Sequence, residues 1–524
     1  MITGKMLIGQ SAVQGDNGSL CAINPATHET LSPDFGVGGL TDIEQACTLA
    51  QQAFDRYRAT TAEQRAQFLE AIATGILALG AALIERACLE SGLPAVRLII
   101  ERGRTVSQLR LFAKVVRDGH YLGATLDSAL PTRLPSRPDL RLHKIALGPV
   151  AVFGASNFPL AFSVAGGDSA AALAAGCPIV VKAHEAHLGT SELVGQVIQQ
   201  AAAAHSLPEG VFSLLIGDGH LFGQTLVSHP AIKAVAFTGS RQGGLALMRT
   251  AAQRSEPIPV YAEMSCINPV FLLPHALSMR ASEIGRGFVE ALTMSAGQLC
   301  TNPGLVIALE GPSLTQFCDT ALDTLRTKAA ATLLTPGIHQ AYLAGVEETG
   351  TINGVTTLGQ GGPAQKPCAA QAALFVTDAA TFVTTGRLGD ETFGPSSLIV
   401  ACKNEEEMLA VAEHLSGQLT ATLQLDEADH GLARKLLPIL ERKAGRILAN
   451  GYPNNVEVSH AMVHGGPFPA SSDSRSSAVG ASAIDRFLRP VCYQDLPAAL
   501  MPAALQDGNP LELWRTVNGE CVLA

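Results

Sequence analysis

Charge is scarce in this chain of 524 residues: Asp, Glu, Lys and Arg make up 16% of it, against 47% hydrophobic residues. So little charge excludes a disordered chain, and the lack of any repeat or low-complexity tract excludes a fibrous one. Basic residues are the scarcer kind, and a net charge of -10 excludes nucleic acid as a partner. An anionic substrate would have to be drawn in by local basic groups, because the summed field repels it. None of the eleven cysteines forms a Cys-x-x-Cys pair. The start Met1-Ile2-Thr3-Gly4-Lys5 has neither a secretory nor a lipidation pattern, so the mature chain is expected to begin there. Reduced thiols in a cytoplasmic protein follow, most of them small buried hydrophobes. Residues 145–167 carry no charge, but Pro149, Asn157, Pro159 and four glycines interrupt them. That excludes a membrane span and leaves a buried strand and loop.

What is present is an α/β rhythm in a chain long enough for two or three packed units. From Leu40 to Ala113 apolar residues recur at helical spacing, as in Ile43-Ala46-Leu49-Ala50-Ala53-Phe54. The spacing then predicts a strand over 146–154, a helix from Gly167 to Ala175 and a strand over 177–182. A helix from about Ser191 to Ala204, a strand over 211–215, a helix from Leu221 to Ser228 and a strand over 234–237 follow. Near-continuous apolar strands alternating with helices predict a parallel sheet covered on both faces, of the dinucleotide-binding kind. A second α/β unit runs from about Glu263 to Tyr452, with helices predicted over 282–295 and 313–332 and strands near 303–308 and 397–400. The glycine-rich stretch Leu358 to Pro363 is expected to be an exposed loop.

The residues that carry chemistry lie in short uncharged segments. Cys300 sits in Ser295-Ala296-Gly297-Gln298-Leu299-Cys300-Thr301-Asn302-Pro303, a small-residue turn after an amphipathic segment, where a nucleophile would be presented. A thiolate there is a nucleophile for an electrophilic carbon. Glu263 follows the strand predicted at Ile258-Pro259-Val260-Tyr261, in an apolar setting that raises a carboxylate pKa and suits it to deprotonate water. Asn157, in Gly154-Ala155-Ser156-Asn157-Phe158-Pro159, offers an amide, although an asparagine in such a turn also satisfies its own backbone. No metal is required by this set.

In order and rough spacing, Asn157-Phe158-Pro159, Val180-Val181-Lys182, Phe237-Thr238-Gly239-Ser240, Glu263-Met264-Ser265-Cys266, Gly297-Gln298-Leu299-Cys300 and Glu391-Thr392-Phe393-Gly394-Pro395 resemble the motifs of the aldehyde dehydrogenase superfamily. The resemblance spans roughly residues 20 to 485. Gly-Ala-Ser-Asn-Phe-Pro, Lys-Ala-His and Gly465-Gly466-Pro467-Phe468-Pro469-Ala470 resemble the branch of α-ketoglutarate semialdehyde dehydrogenases. It implies a Rossmann-like cofactor domain (1–125 and 148–262), an α/β catalytic domain (263–480) and bridging segments (126–147 and 481–524) with a small oligomerisation hairpin. It also implies oxidation of a small aldehyde, α-ketoglutarate semialdehyde to 2-oxoglutarate, with NAD or NADP, in a homodimer or homotetramer. Broad-range aldehyde oxidation and a silent protein of the same fold are the alternatives.

The resemblance makes Cys300 the nucleophile, Glu263 the base for thioester hydrolysis, and the Asn157 amide with the Cys300 N–H the oxyanion site. It sets Lys182 on the adenosine ribose, Gly239, Ser240 and Gly244 by the pyrophosphate, and Glu391 and Phe393 at the nicotinamide ribose and ring. Gly219, in Gly217-Asp218-Gly219, is a further cofactor candidate that reads equally as a plain turn. Glu185 accepts from ribose hydroxyls and meets a 2′-phosphate with a like charge, which points to NAD; alone it is an acid near a helix start. Phe158 is a substrate-tunnel wall or core. Three departures bear on these roles: Ser156 replaces a tryptophan, Ser265-Cys266 replaces Gly-Gly and brings a rival thiol, and the Gly-Gly-Pro-Phe-Pro-Ala stretch replaces Pro-Phe-Gly-Gly.

Overall fold

A computed structural model describes residues 1–217 and 219–523. Its first large sheet has the strand order Val260–Glu263, Ala234–Thr238, Val150–Phe153, Ile179–Lys182, Phe212–Leu215, Met6–Ile8, Ser11–Val13. The first five strands are parallel, and the two N-terminal ones are antiparallel. Strand order reverses between Val150–Phe153 and Ala234–Thr238, and a parallel sheet binds ligands outside the carboxyl ends at such a point. Register fixes what meets there: Phe153 pairs with both Phe237 and Lys182, and Thr238 pairs with Glu263.

The N-terminal third supplies four helices, Leu40–Arg58, Ala62–Ala78, Gly80–Ser91 and Ala95–Asp118. Local chemistry sets their ends. Thr61 and Gln64 form a reciprocal capping box, and Gly92 and Gly119 close helices at φ 67° and 68°, where a side chain would be strained. Among the described residues no single helix is long and apolar enough to cross a membrane, and all eleven cysteines are unpaired.

A second seven-stranded sheet runs Thr356–Gln360, Ala373–Asp378, Ser396–Cys402, Leu305–Leu309, Pro269–Leu272, Gln418–Gln424, Ala444–Ala449. All its pairings are parallel except that of the edge strand Thr356–Gln360. A third sheet of five strands joins Leu488–Gln494, Leu140–Ala146, Thr125–Asp127, Arg515–Val517 and Glu520–Val522.

Four expectations change. The strand predicted over 146–154 is two: Leu140–Ala146 belongs to the third sheet and Val150–Phe153 to the first, with Gly148 at φ 138° turning the chain between them. The helix predicted from 282 begins at Pro274, where a proline in the first turn leaves no lost hydrogen bond. The helix predicted to reach 332 ends at Arg326, because Ala331–Thr332 pair instead with Ala369–Ala370. Leu358 to Gln360, expected in a loop, lie in a strand. Gly359 is there because the helix Pro312–Arg326 presses on it: a Cβ would come within 2.2 Å of Leu322.

Candidate active site

The nucleophile loop is built from strained backbone. The helix Pro274–Thr293 ends, and Ser295, Ala296 and Gly297 follow in the left-handed region at φ 52°, 58° and 67°. Two non-glycine residues in that conformation cost roughly 1–2 kcal/mol each. At Gly297 a Cβ would lie 2.4 Å from Gly394 and Pro395, so only glycine fits. Gln298 then pins the loop, its Oε1 accepting from the Leu334 N–H at 2.9 Å. The Cys300 carbonyl accepts from Asn268 Nδ2 at 2.9 Å and from the Cys266 thiol at 3.2 Å. Cys266, the rival thiol, is therefore engaged with the backbone of Cys300, and burial pushes its own pKa up.

Half-buried Cys300 faces a residue that the motifs did not indicate. Its Sγ lies 3.4 Å from His464 Nε2, and that same nitrogen lies 2.9 Å from Glu263 Oε1. One ligand atom from each of Glu263, Cys300 and His464 falls within 4.8 Å of the others. Glu263 is the last residue of Val260–Glu263, not a residue beyond it, and it is 4% exposed. Its Oε2 is buried without a hydrogen-bond partner, a place for one more donor such as a water. Burial first, then the negative charge of Glu263, holds the Cys300 thiol well above its ordinary pKa. A thiol so placed stays protonated until a base takes its proton, and Nε2 is within reach and able to accept when the ring hydrogen is on Nδ1.

His464 was not visible in the sequence because nothing near it in the chain explains it. The nearby signal was the Gly465-Gly466-Pro467-Phe468-Pro469-Ala470 departure. That stretch lies flat on the sheet ends: a Cβ on Gly466 would meet the Gln418 carbonyl at 2.1 Å, and Ala470 O accepts from the Met264 N–H at 2.8 Å.

Asn157 is buried in the turn after Val150–Phe153. One of its amide N–H groups donates to Gln298 O at 3.0 Å, which sets the side chain against the nucleophile loop and leaves a second N–H. The Cys300 N–H donates to no acceptor among the described residues. The turn is held from the helix Ala95–Asp118. Glu101, 3% exposed, accepts from the N–H groups of Leu160 and Ala161 at 2.8 and 2.9 Å. Arg97 pairs with Glu101 and donates to Asn157 O at 2.9 Å and to Ser295 Oγ at 3.2 Å, so one side chain ties the amide turn to the nucleophile loop. Phe158 packs edge-on to Phe162 at 5.2 Å under the Arg97 guanidinium, outside the cleft described next.

A cleft of about 870 Å³ opens at the strand-order reversal and reaches Cys300. Lys182, Glu185, Gly219, Gly239, Ser240, Glu391 and Phe393 all line it, as do Asn157 and Glu263. Gly244 does not. It lies on the buried side of the helix Arg241–Ala252, where a Cβ would meet Met264 Sδ at 2.6 Å, so its place is packing against the strand and Gly243 takes its position at the wall. Asp218, beside Gly219, lies outside the described residues. Ser240 caps that helix, accepting from the Gly243 N–H at 3.1 Å, and the helix amino end faces the cleft as an anion site. Lys182 Nζ is 3.1 Å from Glu185. Burial raises the Glu391 carboxyl to about 7. Volume, location and donors fit an extended dinucleotide.

The sequence model of the aldehyde dehydrogenase family matches residues 13–488. The chain is 58% identical to α-ketoglutaric semialdehyde dehydrogenase 2 of Azospirillum brasilense, over 99% of both chains. It is 46% identical to α-ketoglutaric semialdehyde dehydrogenase of Acinetobacter baylyi, over 98% of both. In fold it resembles aldehyde dehydrogenase C of Pseudomonas syringae, solved with NAD+ and octanal, at a TM-score of 0.80 and 21% identity, covering 94% of this chain and 97% of that one. A match that takes in every parallel strand of the two large sheets and the cleft settles the family: this chain belongs to the aldehyde dehydrogenases, enzymes that oxidise aldehydes with NAD or NADP.

Proposed function

We propose that the protein oxidises α-ketoglutarate semialdehyde to 2-oxoglutarate with NAD. The observation that carries this reading is 58% and 46% identity, over nearly the whole chain, to two proteins named for that aldehyde.

The side chains support a division of labour. With the resting hydrogen of the imidazole on Nδ1, His464 Nε2 takes the proton of Cys300, 3.4 Å away, as sulfur bonds to the aldehyde carbon, and the Nε2–H so formed donates to Glu263 Oε1 at 2.9 Å. The free N–H of Asn157 and the N–H of Cys300 hold the oxyanion, each such donor stabilising the transition state by roughly 3 kcal/mol. When bound, the nicotinamide cofactor supplies the hydride acceptor for that carbon. The acyl group is left on sulfur, and Glu263 Oε2 takes the proton of the water that releases it. Lys182, Gly219, Gly239, Ser240, Glu391 and Phe393 hold the cofactor. NAD is favoured over NADP because the charge of Lys182 is already engaged by Glu185 at 3.1 Å, and a 2′-phosphate would meet that carboxylate.

Residues 1–125 and 148–262 make the cofactor domain, 263–480 the catalytic domain, and 126–147 with 481–524 the bridge of a cytoplasmic homodimer or homotetramer. Leu488–Gln494 lies at the edge of the third sheet, a strand side open to another copy. The test is the initial rate of NAD and NADP reduction with the semialdehyde beside pentanal. Strong preference for the semialdehyde with NAD is expected. Equal rates would leave a broad-range enzyme, and no reduction with either aldehyde would return the silent-protein reading.

A further inference from the structure

Two arginines close enough to feel the charge of Cys300 do not line the cofactor cleft, and the steps above use neither. Arg104 is on the helix Ala95–Asp118 and Arg446 on the strand Ala444–Ala449, far apart in sequence. They converge on one loop. Arg104 Nη1 donates to Val456 O, while Arg446 donates from Nη1 to Asn455 O at 2.8 Å and from Nη2 to Pro453 O at 2.6 Å. Neither makes an ion pair within 4 Å among the described residues. Arg104 Nη2 and Arg446 Nε are buried with no hydrogen-bond partner. Two half-buried cations with donors to spare and no carboxylate in contact are costly to keep, because a desolvated donor left unmade forfeits roughly 1–3 kcal/mol.

A path joins them to the nucleophile. The Arg104 guanidinium lies 5.8 Å from the centre of the Phe162 ring, Phe162 lies 5.9 Å from the His464 ring, and His464 touches Cys300. Phe158, Val456, Val458 and Met462 pack around Phe162 as an apolar wall. Burial lowers the pKa of both guanidiniums, and a negative charge on Cys300 acts back on each of them. The cations are therefore within electrostatic range of the reacting atoms. The nearest acid to act on Arg104 from this loop is the exposed Glu457, which solvent screens.

Resting on the substrate reading above, we infer that Arg104 and Arg446 form the recognition site for the carboxylate end of a 2-oxo acid semialdehyde, with Phe162 against its methylenes and its aldehyde carbon at Cys300. A five-carbon chain with a carboxylate at one end and an aldehyde at the other needs a cation site, an apolar wall and a thiol in that order. These residues offer that order. They also supply the local positive charge that a protein of net charge -10 needs in order to gather an anion.

The test compares Arg104→Met, Arg446→Met and the two lysine variants with wild type, on the semialdehyde and on uncharged pentanal. Each methionine variant should lose kcat/KM on the semialdehyde by roughly 10²-fold more than on pentanal, chiefly through KM, as expected for one charged hydrogen-bonding partner. Inhibition of pentanal turnover by 2-oxoglutarate should weaken in the same proportion, and lysine should restore part of both. Pentanal turnover reports whether each variant has folded; if a methionine variant has not, its lysine partner carries the comparison. A semialdehyde preference that survives in the variants overturns this inference alone. A wild-type enzyme that prefers pentanal overturns the substrate reading and this inference with it.

Discussion

Replacing His464 with glutamine keeps a donor to Glu263 and removes the proton acceptor that faces Cys300. A glutamine amide donates to Glu263 Oε1 as the protonated Nε2 does at 2.9 Å, so the buried carboxylate keeps a partner and the site keeps its shape. The amide nitrogen has no lone pair with which to take a proton, and Cys300 loses the base 3.4 Å from its sulfur. Because burial and the charge of Glu263 already hold that thiol well above its ordinary pKa, the thiolate becomes rare near neutrality. A positioned general base is worth roughly 10² to 10⁴ in rate, or about 3 to 5 kcal/mol. The direct assay is alkylation of Cys300 by iodoacetamide as a function of pH, which needs neither aldehyde nor cofactor. At pH 7 the His464→Gln rate should fall by roughly 10²-fold, with its rise moved to higher pH, while the thermal unfolding midpoint stays near that of wild type. Equal alkylation rates at pH 7 in the two proteins would refute the assignment of His464 as the proton acceptor.

Three further outcomes follow from the same coordinates. Glu391 titrates near 7 in the folded protein and near the ordinary 4.5 when unfolded, so its contribution to stability is whole below 4.5 and is lost as pH rises towards 7. Melting curves should thus show Glu391→Gln gaining on wild type between those values, and NAD affinity should rise through pH 7 in wild type but not in the variant; parallel curves would contradict both. Gly297→Ala must place a Cβ 2.4 Å from Gly394 and Pro395 at positive φ, so its denaturation midpoint and its kcat should both fall, and an unchanged midpoint in urea would argue against the packing described. Leu142→Asp, on the strand paired with Leu488–Gln494, should lower the assembled mass in light scattering; a monomeric wild type would remove the basis for assembly there.

How much of this was legible in the sequence depends on distance along the chain. The alternation of apolar strands and helices is a local signal, and it placed the helix Gly167–Ala175 exactly where it lies. Cys300 and Glu263 stand in short distinctive segments, and the fold brings these two side chains together. Gly244 was misplaced by one residue of helical rotation, since the sequence does not say whether a glycine faces a ligand or the strand beneath it. Leu358 to Gln360 read as a loop because their glycine answers to a helix packed from elsewhere. His464, Arg97, Arg104 and Arg446 were missed for one reason: each acts across the fold, His464 on a carboxylate 201 residues away and Arg97 on a serine 198 residues away. A lone histidine or arginine has no periodicity to betray it.

The chain from His464 to Gln494 joins two places otherwise far apart in function. It starts at the imidazole, meets the cofactor sheet where Ser471 bridges Glu263, is fastened by the buried pair Arg486 and Asp168 at 2.7 Å, and ends as the edge strand of the third sheet. Were that edge strand to pair with another copy, separating the two would free one end of the segment whose other end positions the imidazole. If copies of this chain pair along that edge strand, specific activity should therefore depend on enzyme concentration, falling as the pairing is lost.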